Sequence, residues 1–152
     1  MTILLYVALF VGAFLGMEGV AWATHKYVMH GFLWSWHKSH HAPYNGVLEK
    51  NDLFGFVFSL PAILCIMAGL HYESLHWLVP IGAGITGYGI FYVLFHDVLV
   101  HRRIKHGMRP TNRYLKRLIR AHKVHHKYTA KEGSEAFGFL FAPKKYEADN
   151  AQ

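Results

Sequence analysis

Three apolar runs constrain the chain more than any other feature: Thr2 to Trp22 (TILLYVALFVGAFLGMEGVAW), Leu53 to Leu70 and Trp77 to Phe95. The first is long enough to cross a bilayer as a helix and holds one charge, Glu18; the other two lie near the lower end of spanning length. A chain of 152 residues, 53% hydrophobic and 16% charged, has too little polar surface to wrap three such helices inside a water-soluble fold. The sequence therefore predicts a single membrane-embedded domain over residues 1–152. Its fold class is all-α, an integral membrane helical bundle of three to four spans, with spans at about 2–22, 53–70 and 77–95. The first run lacks a basic leading segment and a small-x-small cleavage site before Glu18, so it is expected to be retained rather than removed as a signal peptide.

Charge sets the expected orientation. All sixteen Lys and Arg residues fall at Lys26, Lys38, Lys50 or from Arg102 onward, whereas the N-terminal Met-Thr and the turn HYESLH hold none. Basic loops stay on the cytoplasmic side, which predicts a multi-pass protein of the cytoplasmic (inner) membrane. The net charge of +7 and the segment RRIKHGMRPTNRYLKRLIRAHK raise the question of nucleic acid. Beside a span, such a segment reads instead as a surface held against anionic membrane lipid, and no nucleic acid partner is expected. The single cysteine, Cys65, lies inside the second span, forms no disulfide framework and is expected to pack.

Small residues mark where helices approach one another. Gly12 and Gly16 form a small-xxx-small pair in the first span, and the third carries Pro80, Gly82, Ala83, Gly84, Gly87 and Gly89. Pro61 is expected to kink the second span, and Asn51 or Asp52 to cap its start. Between the first two spans, Thr24 to His41 reads as mostly helical with an interruption at Gly31, followed by a turn at APYNG, residues 42–46. After the third span Pro110 breaks the chain, and Asn112 can cap a basic helix running to about Lys127. The tail is polar apart from FGFLFAP, Phe137 to Pro143, a patch suited to covering a site or dipping into the membrane interface.

Thirteen residues are histidine, and ten fall into an ordered pattern: HKYVMH (His25, His30), WHKSHH (His37, His40, His41), HDVLVH (His96, His101) and HKVHH (His122, His125, His126). Residues at i, i+3 and i+4 share a sector of a helix, so each of the second and fourth motifs can direct three imidazoles to one point. The i, i+5 pairs stand about 140° apart on a regular α-helix, so either one ring of each pair reaches a different metal or the helix unwinds there. Neutral imidazole is the commonest metal ligand and suits iron, zinc and copper. Spans one and three cross in the same direction, so the clusters at 25–41, 96–101 and 122–126 all end on one side, as a cytoplasmic-side histidine-rich helical cap. Ten imidazoles exceed the needs of one tetrahedral zinc, whereas two metals would have four or five ligands each. Interfacial histidines on solvated basic helices would account for one or two such residues, not for ten in this order. His71 and His76 lie in the opposite turn, and His106 is unpaired, so none is counted as a ligand.

These four motifs, with LEKND at 48–52 and EAFGFLFAP at 135–143, resemble the bacterial β-carotene hydroxylases, membrane members of the fatty acid hydroxylase superfamily. The similarity covers nearly the whole chain, and none of the ten motif histidines departs from the pattern. It implies a non-haem di-iron monooxygenase whose metal ligands are His25, His30, His37, His40, His41, His96, His101, His122, His125 and His126. The cofactors implied are two iron ions, with zinc an alternative occupant on isolation and O2 as cosubstrate. The implied reaction hydroxylates β-ionone rings at C3, taking β-carotene through β-cryptoxanthin to zeaxanthin. A methylene C–H has no acidic proton for a general base, whereas a metal that activates O2 can attack it. No GxGxxG or other flavin or nicotinamide motif is present, so electrons are expected from a ferredoxin or a reductase.

Four further points stay open on the sequence. Asp97 adjoins His96 and is placed either to orient that ring or to pair with Arg102 or Arg103. Glu18 stands seven residues before His25, on the same helical face, and either holds that ring or snorkels to the interface. Phe54, Phe56 and Phe58 are candidates for polyene contact and equally for packing or lipid contact. A ketolase or fatty acyl hydroxylase on the same scaffold, or a non-enzymatic membrane metal-binding protein, is the alternative reading. Metal transport fits less well, because Glu18 is the only carboxylate inside a span and lies near its end.

Overall fold

The hydroxyl of Thr2 accepts the main-chain N–H of Leu5 at 3.4 Å and opens the first helix, α1 (Ile3–Ala23). The structure, a computed structural model, describes residues 2–42 and 48–147. Beyond Ala42, the turn expected at 42–46 therefore lies outside the described residues. The helix α1 runs without a break into a π-helical stretch, Thr24–Phe32, which ends where Gly31 leaves helical geometry (φ −105°, ψ −123°). A short helix, α2 (Trp34–His37), and a 3-10 turn, Lys38–His41, follow. The second span is α3 (Leu53–His71), and the third is α4 (Leu78–Tyr92), which continues as a second π-helical stretch, Val93–Val100. The basic helix is α5 (Arg113–His126), and Asn112 caps it as expected, its side-chain oxygen accepting from Tyr114 N (2.7 Å) and Leu115 N (3.4 Å). No strand occurs among the described residues.

Three stretches are long and apolar enough to cross a membrane: Ile3–Phe32 (30 residues), Lys50–His71 (22) and Leu78–Val100 (23). The chain is thus an all-helical membrane bundle with three candidate spans among its described residues. The third is the centre of the bundle, packed against both α1 and α3. Its glycines make this possible. A Cβ at Gly82 would lie 2.7 Å from the Ala62 carbonyl oxygen of α3, and one at Gly84 would lie 2.4 Å from the Phe10 carbonyl oxygen of α1. Cys65 packs against Gly82, as expected of it. The pair Gly12 and Gly16 marks no helix contact within this chain, since a Cβ at either site would meet nothing within 4 Å; the close approach to α1 is made through glycines of α4 instead.

The start of α3 also differs from expectation. Neither Asn51 nor Asp52 caps α3 through its side chain. Asp52 Oδ2 accepts the main-chain N–H of Glu49 (3.0 Å) in a reciprocal box on the preceding 3-10 turn, Lys50–Asp52. Asn51 is buried and turned toward the histidines. The helix α3 continues through Pro61. At the polar end, Leu118 and Ala121 of α5 join Ala21, Tyr88, Phe95, Phe139, Ala142 and Tyr146 in a buried apolar cluster that ties the tail and α5 to the tops of α1 and α4. Glu147 completes the link by accepting from Arg117 at 2.6 Å.

Candidate metal centre

The two H-x4-H pairs fall on the two π-helical stretches. A π-turn closes with a hydrogen bond between residues five apart, as in His101 N to His96 O (2.9 Å) and Leu33 N to Val28 O (2.9 Å), so residues at that spacing come onto one face. His25 and His30 accordingly enter one cluster together, and His96 and His101 enter another. The second of the two sequence alternatives, local unwinding, is the one observed. The triplets behave in the opposite way. His37 and His41 join the first cluster while His40 joins the second, and His122 and His126 join the second while His125 joins the first. Rings at i+3 and i+4 are about 100° apart around a helix, enough to serve two neighbouring points rather than the single point expected.

The result is two sets of five, His25, His30, His37, His41 and His125, and His40, His96, His101, His122 and His126. In each set, one nitrogen from every ring lies within 4.8 Å of all the others. Nitrogens across a common ion bonded at ~2.1 Å would stand about 4.2 Å apart, so each set is within a small contraction of coordinating one metal. The sets adjoin: His41 of the first stacks on His126 of the second, with ring centroids 4.5 Å apart.

Hydrogen bonds on the outer nitrogens settle which atom faces inward. The Nδ1–H groups of His25, His30, His41 and His125 donate to the carbonyls of Phe137, Lys131, Tyr128 and Glu135, all at 2.9 Å. His37 Nδ1–H donates to Asn51 Oδ1 at 2.7 Å. In the second set, His40 donates to Glu49 Oε1 (2.9 Å) and His96 to Asp97 Oδ1 (2.7 Å). These acceptors cannot donate, so the proton sits on Nδ1 and the lone pair of Nε2 points inward. Yet Nε2 atoms stand 3.1 Å apart between His25 and His37, 3.2 Å between His30 and His125, and 2.9 Å between His40 and His96. Lone pairs held face to face in this way are satisfied by a cation between them, and the buried His126 Nε2 has no other partner. The donor sets therefore fit metal ions.

Burial and neighbouring rings keep these groups neutral, the form that binds metal. Desolvation is the main cause in each case. It lowers His37 to about 3, His41 and His101 to about 4, and His125 and His126 to about 2, and it takes His40 and His122 well below the usual histidine value. Burial likewise raises Glu49, and Arg103 opposes that rise.

Asp97 takes both roles considered for it. Oδ1 accepts from His96, and Oδ2 lies 3.7 Å from Arg103, whose main pairing is two-pronged with Asp52 (2.7 and 2.8 Å). Glu18 adopts neither expected role. Its carboxylate accepts from the Tyr88 hydroxyl (2.6 Å) and from the main-chain N–H groups of Phe139 (2.9 Å) and Phe141 (3.2 Å), because the tail folds between it and His25. FGFLFAP thus covers the site. Phe139 stacks on His25 (5.7 Å) and touches His96 and His122 (5.5 and 5.9 Å), so one ring contacts both sets. A Cβ at Gly138 would lie 2.5 Å from the Glu18 carboxylate oxygen, so a larger residue there would have to displace that carboxylate. Of the candidate polyene contacts, Phe54 is buried against Trp36, whereas Phe56 is exposed. His71 and His76 lie outside both sets, and His106 bonds to the Val98 carbonyl (2.7 Å).

Sequence reasoning did not assign Asn51, Glu49 or the four carbonyls to the histidines. The LEKND segment held the signal for two of them, but capping of α3 explained Asn51 equally well.

Comparison with known proteins places the chain in a family. The family model for fatty acid hydroxylases matches residues 10–143. A β-carotene hydroxylase of Pantoea ananas is 48% identical over 130 residues, covering 85% of this chain and 73% of that protein. One from Paracoccus sp. (strain PC1) is 40% identical over 134 residues (88% and 82%). A chloroplastic β-carotene 3-hydroxylase of Arabidopsis thaliana is 39% identical over 145 residues, covering 92% of this chain and 45% of that protein. No solved structure matches the chain.

Proposed function

The chain belongs to the fatty acid hydroxylase family, and from that premise we propose that it hydroxylates the β-ionone rings of β-carotene at C3, giving zeaxanthin through β-cryptoxanthin. The observation that carries this reading is the pair of buried five-histidine sets beside the ends of membrane-spanning helices. Bound there, two iron ions would supply the O2 chemistry that replaces a ring C–H by C–OH, while two external electrons and two protons take the second oxygen atom to water.

The chain's own residues prepare that site. All ten motif histidines are the ligands, and seven are fixed in tautomer and ring angle by the acceptors on their outer nitrogens. Phe137 and Phe139 close the centre against water from the tail side, and Glu18 with Tyr88 holds that tail in place. A C40 polyene is most concentrated in the bilayer, so a centre at the ends of the spans receives one ring while the rest of the substrate lies along lipid-exposed side chains such as Phe56. The centre faces the cytoplasm, because Lys26, Lys38, Lys50 and every basic residue from Arg102 onward share its side. Lys26, 5.0 Å from the Trp22 ring centroid, anchors that boundary. A ferredoxin or reductase delivers the electrons from the same side, where the basic helix α5 also meets anionic lipid.

Expression in cells that accumulate β-carotene, followed by chromatography of the pigments, tests the reading. Zeaxanthin is expected with the wild type and not with His40→Ala. Unchanged pigment with the wild type, despite iron, oxygen and reductant, would refute it.

A further inference from the structure

We propose that the two histidine sets are inequivalent metal sites, the set of His40, His96, His101, His122 and His126 binding its ion the more tightly because carboxylates stand behind two of its rings. This rests on the metal-binding reading above.

The outer partners divide cleanly. Behind the first set stand only neutral acceptors, four main-chain carbonyls and the Asn51 amide. Behind the second stand Glu49 at 2.9 Å from His40 and Asp97 at 2.7 Å from His96. A carboxylate on the outer nitrogen makes an imidazole more basic and a stronger ligand than an amide oxygen does. The neutral acceptors are more numerous, so charge has to decide between the sets. A net negative charge attracts a dication over a longer range than a neutral dipole can.

One cation offsets part of that charge. Arg103 is the cation paired to this group, and both prongs of its guanidinium go to Asp52, with Asp97 3.7 Å away. Asp52 in turn accepts the Glu49 main-chain N–H. Three carboxylates thus face one guanidinium. The arrangement locks the starts of α3 and of the segment after α4 together behind His40 and His96, and it leaves excess negative charge on the side of the second set. Asn51 occupies the corresponding place behind His37 and is nearly the same shape as aspartate, so one atom exchange at each of two positions can erase the asymmetry.

The experiment is a competition titration of zinc(II) against a chromogenic chelator, using metal-free full-length protein in detergent. The wild type should bind in two steps, with His96→Ala abolishing the tighter and His25→Ala the weaker. Glu49→Gln should weaken the tighter step about 10–100-fold and leave the other in place. Asn51→Asp should strengthen the weaker step by about 10-fold, a gain that misfolding cannot mimic. Two indistinguishable steps in the wild type, loss of the weaker step in His96→Ala, or steps unmoved by Glu49→Gln or Asn51→Asp would each overturn the proposal. Failure to bind zinc at all would instead remove the metal-binding reading beneath it.

Discussion

The membrane half and the histidine cap of this molecule obey opposite packing rules. In the first span only 6% of the apolar window is buried, and Leu4 of α1, like Phe56 and Leu64 of α3, faces outward. In the cap the interior is polar: eight of the ten motif histidines and Asn51 are buried, with His125 fully enclosed. The contrast shows where each half obtains its stability. Lipid completes the burial of the spans, so little side-chain packing between them is required. In the cap, buried polar groups are tolerable because seven of the ten rings have an acceptor on the outer nitrogen and the inner nitrogens can share a cation.

The largest test of this contrast lies in the cap. Replacing His96 with alanine removes one ligand, leaves Asp97 without its donor and empties part of a site that no lipid can fill. Metal content should fall from two ions to one, and hydroxylation by more than about 100-fold, the upper range for disrupting a metal's ligand environment. Elemental analysis beside pigment chromatography reads both. Retention of two ions would show that the cap does not depend on its full ligand set.

Acid should separate the halves next. Burial depresses His37, His41, His101, His125 and His126, so in the metal-free protein they stay neutral while an unfolded chain would protonate near pH ~6.5. Between the folded and unfolded values the unfolded state binds more protons. Stability is therefore full above pH ~6.5 and falls as pH drops toward 4, by up to about 1.4 kcal/mol per pH unit for each such histidine. Thermal melts in detergent should show this loss for the metal-free wild type, and the slope should diminish when His41 is replaced by a neutral residue. A flat profile would mean that these rings are hydrated.

Within the membrane half, effects should concentrate at α4. An alanine methyl at Gly84 would press on the Phe10 carbonyl of α1, which is backbone and can yield only if the helices separate. Overpacking of this kind costs about 1–3 kcal/mol. Alanine at Gly12 meets nothing within 4 Å and should be neutral in the same melt. Equal effects at both positions would show that α1 has a partner on its outer face.

The sequence made the membrane half and the membership of the histidine cap legible, because both depend on local patterns. Hydropathy over ~20 residues identified the spans, and the recurrence of H-x4-H and H-x2-H-H picked out the ten histidines that gather into the two sets. What it concealed was long-range. The partition of His40 from His37 and His41 depends on where α4 and α5 place their own rings, which spacing on a single helix cannot supply. The carbonyls of Tyr128, Lys131, Glu135 and Phe137 carry no side-chain signature at all. Glu18 was recognisable as a carboxylate inside a span, but its partners are Tyr88 of α4 and main-chain N–H groups more than 120 residues away, in a tail whose path is set by the cluster it covers.

The smallest expected effect is the most direct test of lipid as the missing packing layer. Leu64 in α3 is 56% exposed, a value that would mark a surface residue in a water-soluble protein. There, truncating a buried leucine costs about 2–5 kcal/mol through lost transfer energy and a residual cavity. Lipid tails flow into the space left by Leu64→Ala, so no cavity persists, and only the difference in membrane transfer remains, about 0.5 kcal/mol. Melting temperature and metal content should both match the wild type. A loss of several kcal/mol would require a protein partner at that face, because only a rigid neighbour could fail to fill the gap.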